Sequence, residues 1–305
     1  MPRIVECVPN FSEGRRPEII SSIADAIARV ETAKILDIHS DLDHNRSVIT
    51  YICRMDYAVK TGFSAIKKAA ELIDMTTHQG VHPRIGACDV FPFVPLDQMT
   101  MDEAVDLAGE LGKKVGSELN IPVYLYEFAA TNDERKNLAN IRRGQYEGLS
   151  RTLGQDLTKV PDFGPNKMNR KAGATAIGAR QSLIAFNAFL ETTDKRIGTR
   201  IANLISESRG GLQFVRSLAF EIKSRNQIQI SMNLTNYMVT SMSRVYNVIE
   251  AEADRLGVKV ASSEIVGLIP FDAAADLVNF VRNPEGYSAD KILEERIKHV
   301  SAVGV

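Results

Sequence analysis

Between Thr77 and Asp89 the chain reads THQGVHPRIGACD, with two of its five histidines, an arginine, a cysteine and an aspartate set among Gly80, Pro83 and Gly86. Side chains of these types, held close together, can take a proton, keep it and return it. His82 is the centre of the pattern. The proline after it biases its backbone towards an extended conformation, and an imidazole with an ordinary pKa of about 6.5 suits general-base work near neutrality. Arg84 and Asp89 nearby favour that role over a loop histidine that merely hydrogen-bonds a neighbour. Glycine and proline at this density exclude a regular helix, so an ordered loop is expected. His78 and His82 stand four apart, as in zinc-binding helices, but that spacing brings two ligands together only on a helix, and no metal site is expected.

Other polar residues qualify for binding. Arg46 and Arg84 carry planar guanidinium groups of the kind that grip carboxylates through two parallel hydrogen bonds. Asn10 follows Pro9 at the end of the first apolar segment, and Asn187 takes the matching place in a later one, so both could line a shared cleft; the alternative is a satisfied strand-end amide. The cysteines, Cys7, Cys53 and Cys88, are odd in number, widely spaced and adjacent to or inside apolar runs. Neither a disulfide framework nor a reactive thiol is expected of them. GATAIGAR, from Gly173 to Arg180, is only superficially a nucleotide fingerprint, and the chain has no Walker sequence and no G-x-S-x-G elbow.

The elements that must position these residues follow from periodicity. Val5 to Phe11 reads as a strand, and Ile19, Ile20, Ile23, Ala24, Ile27 and Val30 recur at helical spacing. Strands are expected over Lys34 to Ile38 and Ser47 to Cys53, a helix over about Ala58 to Asp74, and a strand over Val90 to Val94 after the His82 loop. The order is βαββαβ. It returns with a strand at Leu183 to Phe189, a helix at Arg196 to Ser206, strands at Phe214 to Ile222 and Gln227 to Leu234, a helix at about Tyr237 to Leu256 and a strand at Ile265 to Ile269. Between the repeats lie a helix from Met101 to Leu119, a strand from Val123 to Tyr126, a charged helix near Asp133 to Arg143 and a long loop from Val160 to Gly178. A loop of that length is more often functional than idle. The expected fold is therefore α/β (α+β), two ferredoxin-like βαββαβ subdomains whose sheets face each other across a ligand cleft, with boundaries at residues 1–178 and 179–305.

Composition limits the function classes. A chain of 305 residues has length for two subdomains, and 44% apolar with 25% charged residues is ordinary for a soluble protein. A formal net charge of -1 gives no broad basic surface for nucleic acid. The N-terminal MPRIVECVPNF lacks an apolar signal core and no stretch has the length of a membrane span, so a cytoplasmic location is expected.

The residues also carry a resemblance. VECVPNFSEG from Val5, HNRSV from His44, HQGVHPRIGACDVFPFVPL from His78, PVYLYE from Pro122, PDFGP from Pro161, GATAIGAR from Gly173, LIAFN from Leu183 and VGLIP near the end resemble the glutamate formimidoyltransferases (formiminotransferases), in order and over essentially the whole chain. The resemblance implies transfer of the formimino group from N-formimino-L-glutamate to tetrahydrofolate, a co-substrate, giving 5-formiminotetrahydrofolate and L-glutamate in histidine degradation. It places the general base on His82 and the folate-binding loop on Gly164, Pro165, Asn166, Lys167, Met168, Asn169, Arg170, Lys171, Ala172 and Gly173. It implies a homodimer, and a monofunctional form without the cyclodeaminase domain. With both substrates carrying carboxylates, Arg46, Arg84, Lys167, Arg170 and Lys171 are candidate anchors. His39 departs from the aspartate of some members, and Ala172 from an aromatic residue. The competing readings are a folate-dependent formyltransferase using N-formyl-L-glutamate, a non-catalytic small-molecule binding protein, and a metal-dependent hydrolase of formiminoglutamate.

Overall fold

The computed structural model describes residues 3–96, 98–277, 284–285 and 291–301. The chain divides into one unit at 1–180 and another at 181–305.

The first unit runs β1 (Ile4–Cys7), β2 (Asn10–Phe11), α1 (Pro17–Ala28), β3 (Lys34–Asp41), β4 (Arg46–Arg54), α2 (Ala58–Leu72), β5 (Cys88–Pro95), α3 (Met101–Leu119), β6 (Val123–Glu127), α4 (Leu138–Ile141), α5 (Gln145–Thr152) and β7 (Thr175–Ala179). β1 and β2 are two pieces of one line, broken at Val8 and Pro9, and both pair antiparallel with β4 and β5. β3 flanks β4, so the first repeat has the ferredoxin-like order β3, β4, β1/β2, β5. β7 and β6 then extend the sheet parallel to β5. The helices form for local reasons as well as for their apolar faces. α1 has Pro17 at its first turn, where a missing N–H costs nothing. α3 opens with a capping box in which Thr100 and Glu103 satisfy each other's backbone N–H. α1 packs on α2 and α2 on α3, and their buried faces join the strands in one apolar core.

The second unit runs β8 (Ile184–Leu190), α6 (Lys195–Ile205), β9 (Val215–Ile222), β10 (Gln227–Leu234), α7 (Met242–Arg255), β11 (Val260–Val266), α8 (Phe271–Leu277), β12 (Pro284–Glu285) and α9 (Leu293–Ser301). Its sheet order, β9, β10, β8, β11, β12, repeats the ferredoxin-like arrangement with one short parallel strand added. It has its own core, centred on Ile184, Phe186, Leu190, Ile228, Ile230, Val245 and Ile249. Among the described residues no helix is long and apolar enough to cross a membrane.

Four expectations need correction. The charged segment from Asp133 to Arg143 is not one helix: the Asn132 and Asn137 side chains each cap a separate short turn, and α4 is four residues long. Thr175 to Ala179 is a strand rather than loop. It is buried between β5 and β6, needs small residues on both faces and so lacks alternation: a Cβ on Gly178 would stand 2.4 Å from the Tyr126 carbonyl oxygen. α7 begins at Met242, not near Tyr237, because the Ser241 hydroxyl accepts from the Arg244 N–H and fixes the helix start there. β11 spans Val260–Val266, not Ile265 to Ile269; Gly267, at φ 78°, turns the chain out of the strand.

Candidate functional site

Strand direction gathers the polar residues. β4 and β5 both run antiparallel to β2, and β7 runs parallel to β5, so the N-terminal ends of β4, β5 and β7 lie at one edge of the sheet with the C-terminal end of β2. Arg46 begins β4, the His82 loop enters β5, and the 164–173 loop enters β7. The two loops are joined by backbone bonds from Ala87 N–H to the Ala172 oxygen (2.8 Å) and from Ala174 N–H to the Ile85 oxygen (3.0 Å). Gly86 makes that approach possible, since a Cβ there would sit 2.0 Å from the Ala174 oxygen. Gly80 does the same against the β3–β4 turn, where a Cβ would stand 2.2 Å from the His44 oxygen. Asn45, at φ 48°, ties that turn down: its side chain accepts from Gly14 N–H at 2.9 Å and donates to the Gln79 oxygen at 2.9 Å.

His82 is half-buried, with Nε2 3.1 Å from Arg46 Nη1 and Nδ1 2.9 Å from the Pro83 carbonyl oxygen. A guanidinium only donates, and a carbonyl only accepts. Nδ1 therefore carries the hydrogen and Nε2 presents its lone pair. Burial, then the positive charges of Arg46 and Arg142, then His44, hold the imidazole pKa well below its ordinary value, against an upward pull from the Pro83 carbonyl. The ring is neutral at neutral pH, with its basic nitrogen aimed at a cation. The His44 ring lies 5.6 Å away, centroid to centroid.

The two arginines marked out as carboxylate grips differ. All five N–H groups of Arg84 have partners: Nε donates to His78 Nδ1 (3.1 Å), Nη1 to Gln145 Oε1 (3.0 Å) and Glu147 Oε2 (2.8 Å), and Nη2 to the His78 oxygen (3.2 Å) and Glu147 Oε1 (2.6 Å). His78 in turn donates from Nε2 to the Asn45 oxygen at 3.0 Å. Arg84 is thus the knot that joins the His82 loop, the β3–β4 turn and α5. Arg46 is the reverse case: its Nε is buried without a hydrogen-bond partner among the described residues, and its Nη1 bond is to His82. Burial first, then Arg142, pushes its pKa down to about 9, so it stays charged at neutral pH.

Arg142, at the C-cap of α4, escaped the sequence reading, which saw only a charged segment. It pairs with Asp89, which also accepts from the Ile85 N–H at 2.8 Å, and its own Nε is buried without a hydrogen-bond partner among the described residues. Asn10 is buried, and its side chain donates to the Val8 oxygen at 2.7 Å, bridging the break in the first strand; Asn187, in the second unit, donates to Glu264 Oε2 at 2.9 Å. In the 164–173 loop, Lys167 is exposed, while Lys171 donates to the Glu71 oxygen at 2.6 Å. The Arg170 carbonyl accepts from the Tyr146 hydroxyl at 2.6 Å, and Met168, Ala172 and Gly173 are buried. His39 lies on β3, opposite Val48 of β4. Cys7, Cys53 and Cys88 are buried free thiols. Burial raises the Cys7 and Cys88 thiols above their ordinary pKa, so the nucleophilic thiolate is disfavoured at both.

This geometry coincides with a family pattern. Residues 4–180 match the model of the formiminotransferase domain, N-terminal subdomain, and residues 185–303 match that of the formiminotransferase domain. The chain belongs to the formiminotransferase family. A glutamate formimidoyltransferase of Thermoplasma acidophilum is 50% identical over 297 residues, 97% of each chain. One from Streptococcus pyogenes serotype M1 is 39% identical, covering 97% of this chain and 99% of its own. The formimidoyltransferase-cyclodeaminase of Rattus norvegicus is 40% identical over 93% of this chain but only 53% of its own length. In this formiminotransferase, the sheet edge that carries His82 lies wholly within the first matched subdomain.

Proposed function

We propose that this protein transfers the formimino group of N-formimino-L-glutamate to tetrahydrofolate, releasing L-glutamate in the breakdown of histidine. The family and its close relatives support a group transferase, and one observation carries the mechanism: the fixed tautomer of His82, which leaves the Nε2 lone pair as the site's base. Tetrahydrofolate as co-substrate supplies a secondary amine nitrogen, N5. His82 Nε2 takes the N5 proton as that nitrogen bonds to the amidine carbon, and the Pro83 carbonyl steadies the imidazolium through Nδ1–H. His82 then gives the proton to the glutamate nitrogen as its bond to the same carbon breaks. Proton bookkeeping closes, and no further acid is required. Acid-base assistance of this kind contributes about 10² to 10⁴ in rate; alignment of two substrates supplies much of the remainder.

Substrate binding is assigned to Arg46, to Asn10 at the same sheet edge, and to the 164–173 loop as the folate contact, with exposed Lys167 and Arg170 as its charged groups. Arg84, fully occupied by protein groups, is reassigned from anchor to positioning residue. The protein is further proposed to be a cytoplasmic homodimer acting on small molecules, with neither nucleic acid nor membrane as partner and with no metal in the reaction; its near-neutral charge supports the first of these exclusions, and its buried free thiols support the compartment.

The test is purified protein with tetrahydrofolate and either N-formimino- or N-formyl-L-glutamate, following the absorbance of the folate product. Turnover with the formimino donor, dependent on folate and indifferent to chelator, is expected. Preference for the formyl donor, or binding without turnover, would overturn the reading.

A further inference from the structure

Arg46 and Arg142 are two half-buried cations that bear on the same neutral imidazole, and the charge of Arg142 bears on Arg46. Asp89 pairs with Arg142 and, with Asp41 after it, also attracts Arg46, but no carboxylate forms a salt bridge with Arg46 among the described residues. Each has a buried Nε with no hydrogen-bond partner there. A buried donor left unmade costs about 1–3 kcal/mol, and two such donors, on guanidinium groups that bear on one imidazole, describe a receptor for an anion. Arg46 also spends an N–H on the lone pair of His82 Nε2, at 3.1 Å. While that bond stands, the base has no free electron pair for an incoming proton.

We propose that Arg46 and Arg142 form a clamp for a carboxylate of the glutamate donor, and that its arrival draws the Arg46 N–H off His82 and releases the base. The clamp rests on the reading of His82 as the base, which it deepens by making the donor switch on the residue that will act. The step is an exchange of partners and needs no co-reactant: Arg46 gives up a neutral acceptor for a charged one, which forms the stronger bond. The same carboxylate offsets the two positive charges facing His82, so the ring becomes more basic as the donor binds. The groups that face the ring include Arg46 on β4, Arg142 beside α4, His44 in the β3–β4 turn and the Pro83 carbonyl. Asp41 and Asp89 act on it through the arginines.

Replacing Arg142 alone would strand buried Asp89, so the variant is the pair Arg142→Gln with Asp89→Asn. L-Glutamate, the leaving product, serves as a probe that cannot turn over. In the unaltered protein, saturating L-glutamate should raise the pKa of His82 read by NMR titration. In the double variant that shift should vanish, and KM for the donor should rise about ten- to a hundredfold while folate affinity stays unchanged. An equal glutamate-induced shift in both proteins, or loss of folate affinity instead of donor affinity, would overturn the clamp. Failure of the base assignment looks different: His82→Asn would keep full turnover while glutamate still bound through Arg142.

Discussion

A histidine becomes a base only when something decides which nitrogen holds its proton. Here the decision falls to two neighbours, a carbonyl that demands a hydrogen at Nδ1 and a guanidinium that demands a lone pair at Nε2. His82→Asn should therefore lower transfer by about 10² to 10⁴ while leaving folate affinity near its original value, measured by fluorescence titration; full turnover would refute the assignment. The direction of its pKa shift sets a pH signature. On the proposed role of His82 as base the neutral form is the working form, and the folded pKa lies below the ordinary 6.5 or so, so the acid limb of kcat/KM should fall below pH 6.5. Arg46→Gln removes the cation that ranks first after burial among the causes and should move that limb upward. A limb that stays put in this variant would separate Arg46 from the titration.

Each loop is held by its neighbours more than by its own sequence. Arg84 spends five hydrogen bonds to bind the His82 loop to α5 and, through His78, to the β3–β4 turn. Arg84→Lys keeps the charge but loses the fork. It should cost about 1–3 kcal/mol in urea unfolding and lower kcat, with weak effects on either substrate's affinity. The junction of the two loops is less forgiving. Gly86→Ala pushes a Cβ into the Ala174 carbonyl oxygen, and a clash with backbone cannot be relieved by a rotamer change. A loss of about 3 kcal/mol or more is expected, with folate binding and turnover declining together because both loops shift. Wild-type stability in that variant would show that the loops separate at little cost.

Stability of the whole molecule should carry the same electrostatic mark. His78 and His82 both have folded pKa values below the unfolded value of about 6.5, in each case with burial as the first cause. Between the folded and unfolded values the unfolded chain binds the extra protons, so stability falls as pH drops below about 6.5 and recovers as pH rises through it. Urea midpoints at pH 7.5 and 5.5 should differ in that sense, and His82→Asn should narrow the difference. A midpoint independent of pH across this window would mean that the two rings are not held neutral by the fold.

What could be read from the chain alone is what periodicity and local chemistry encode. The helical spacing of Ile19 to Val30, the apolar runs of β4, β5, β8 and β10, and the glycines and proline around His82 are local facts, and they suffice for a doubled βαββαβ order and for one histidine worth testing. Arg142 could not be found that way. It is fifty-three residues from Asp89 in sequence, and nothing in a charged stretch marks which arginine turns inward. Nor could the difference between Arg46 and Arg84 be read, since two identical side chains differ only in what surrounds them. β7 was hidden for a related reason, because a strand buried between two parallel neighbours needs no alternation. Parallel pairing of β5 with β7 brought two distant loops to one sheet edge, and long-range pairing of that kind is a property of the folded chain.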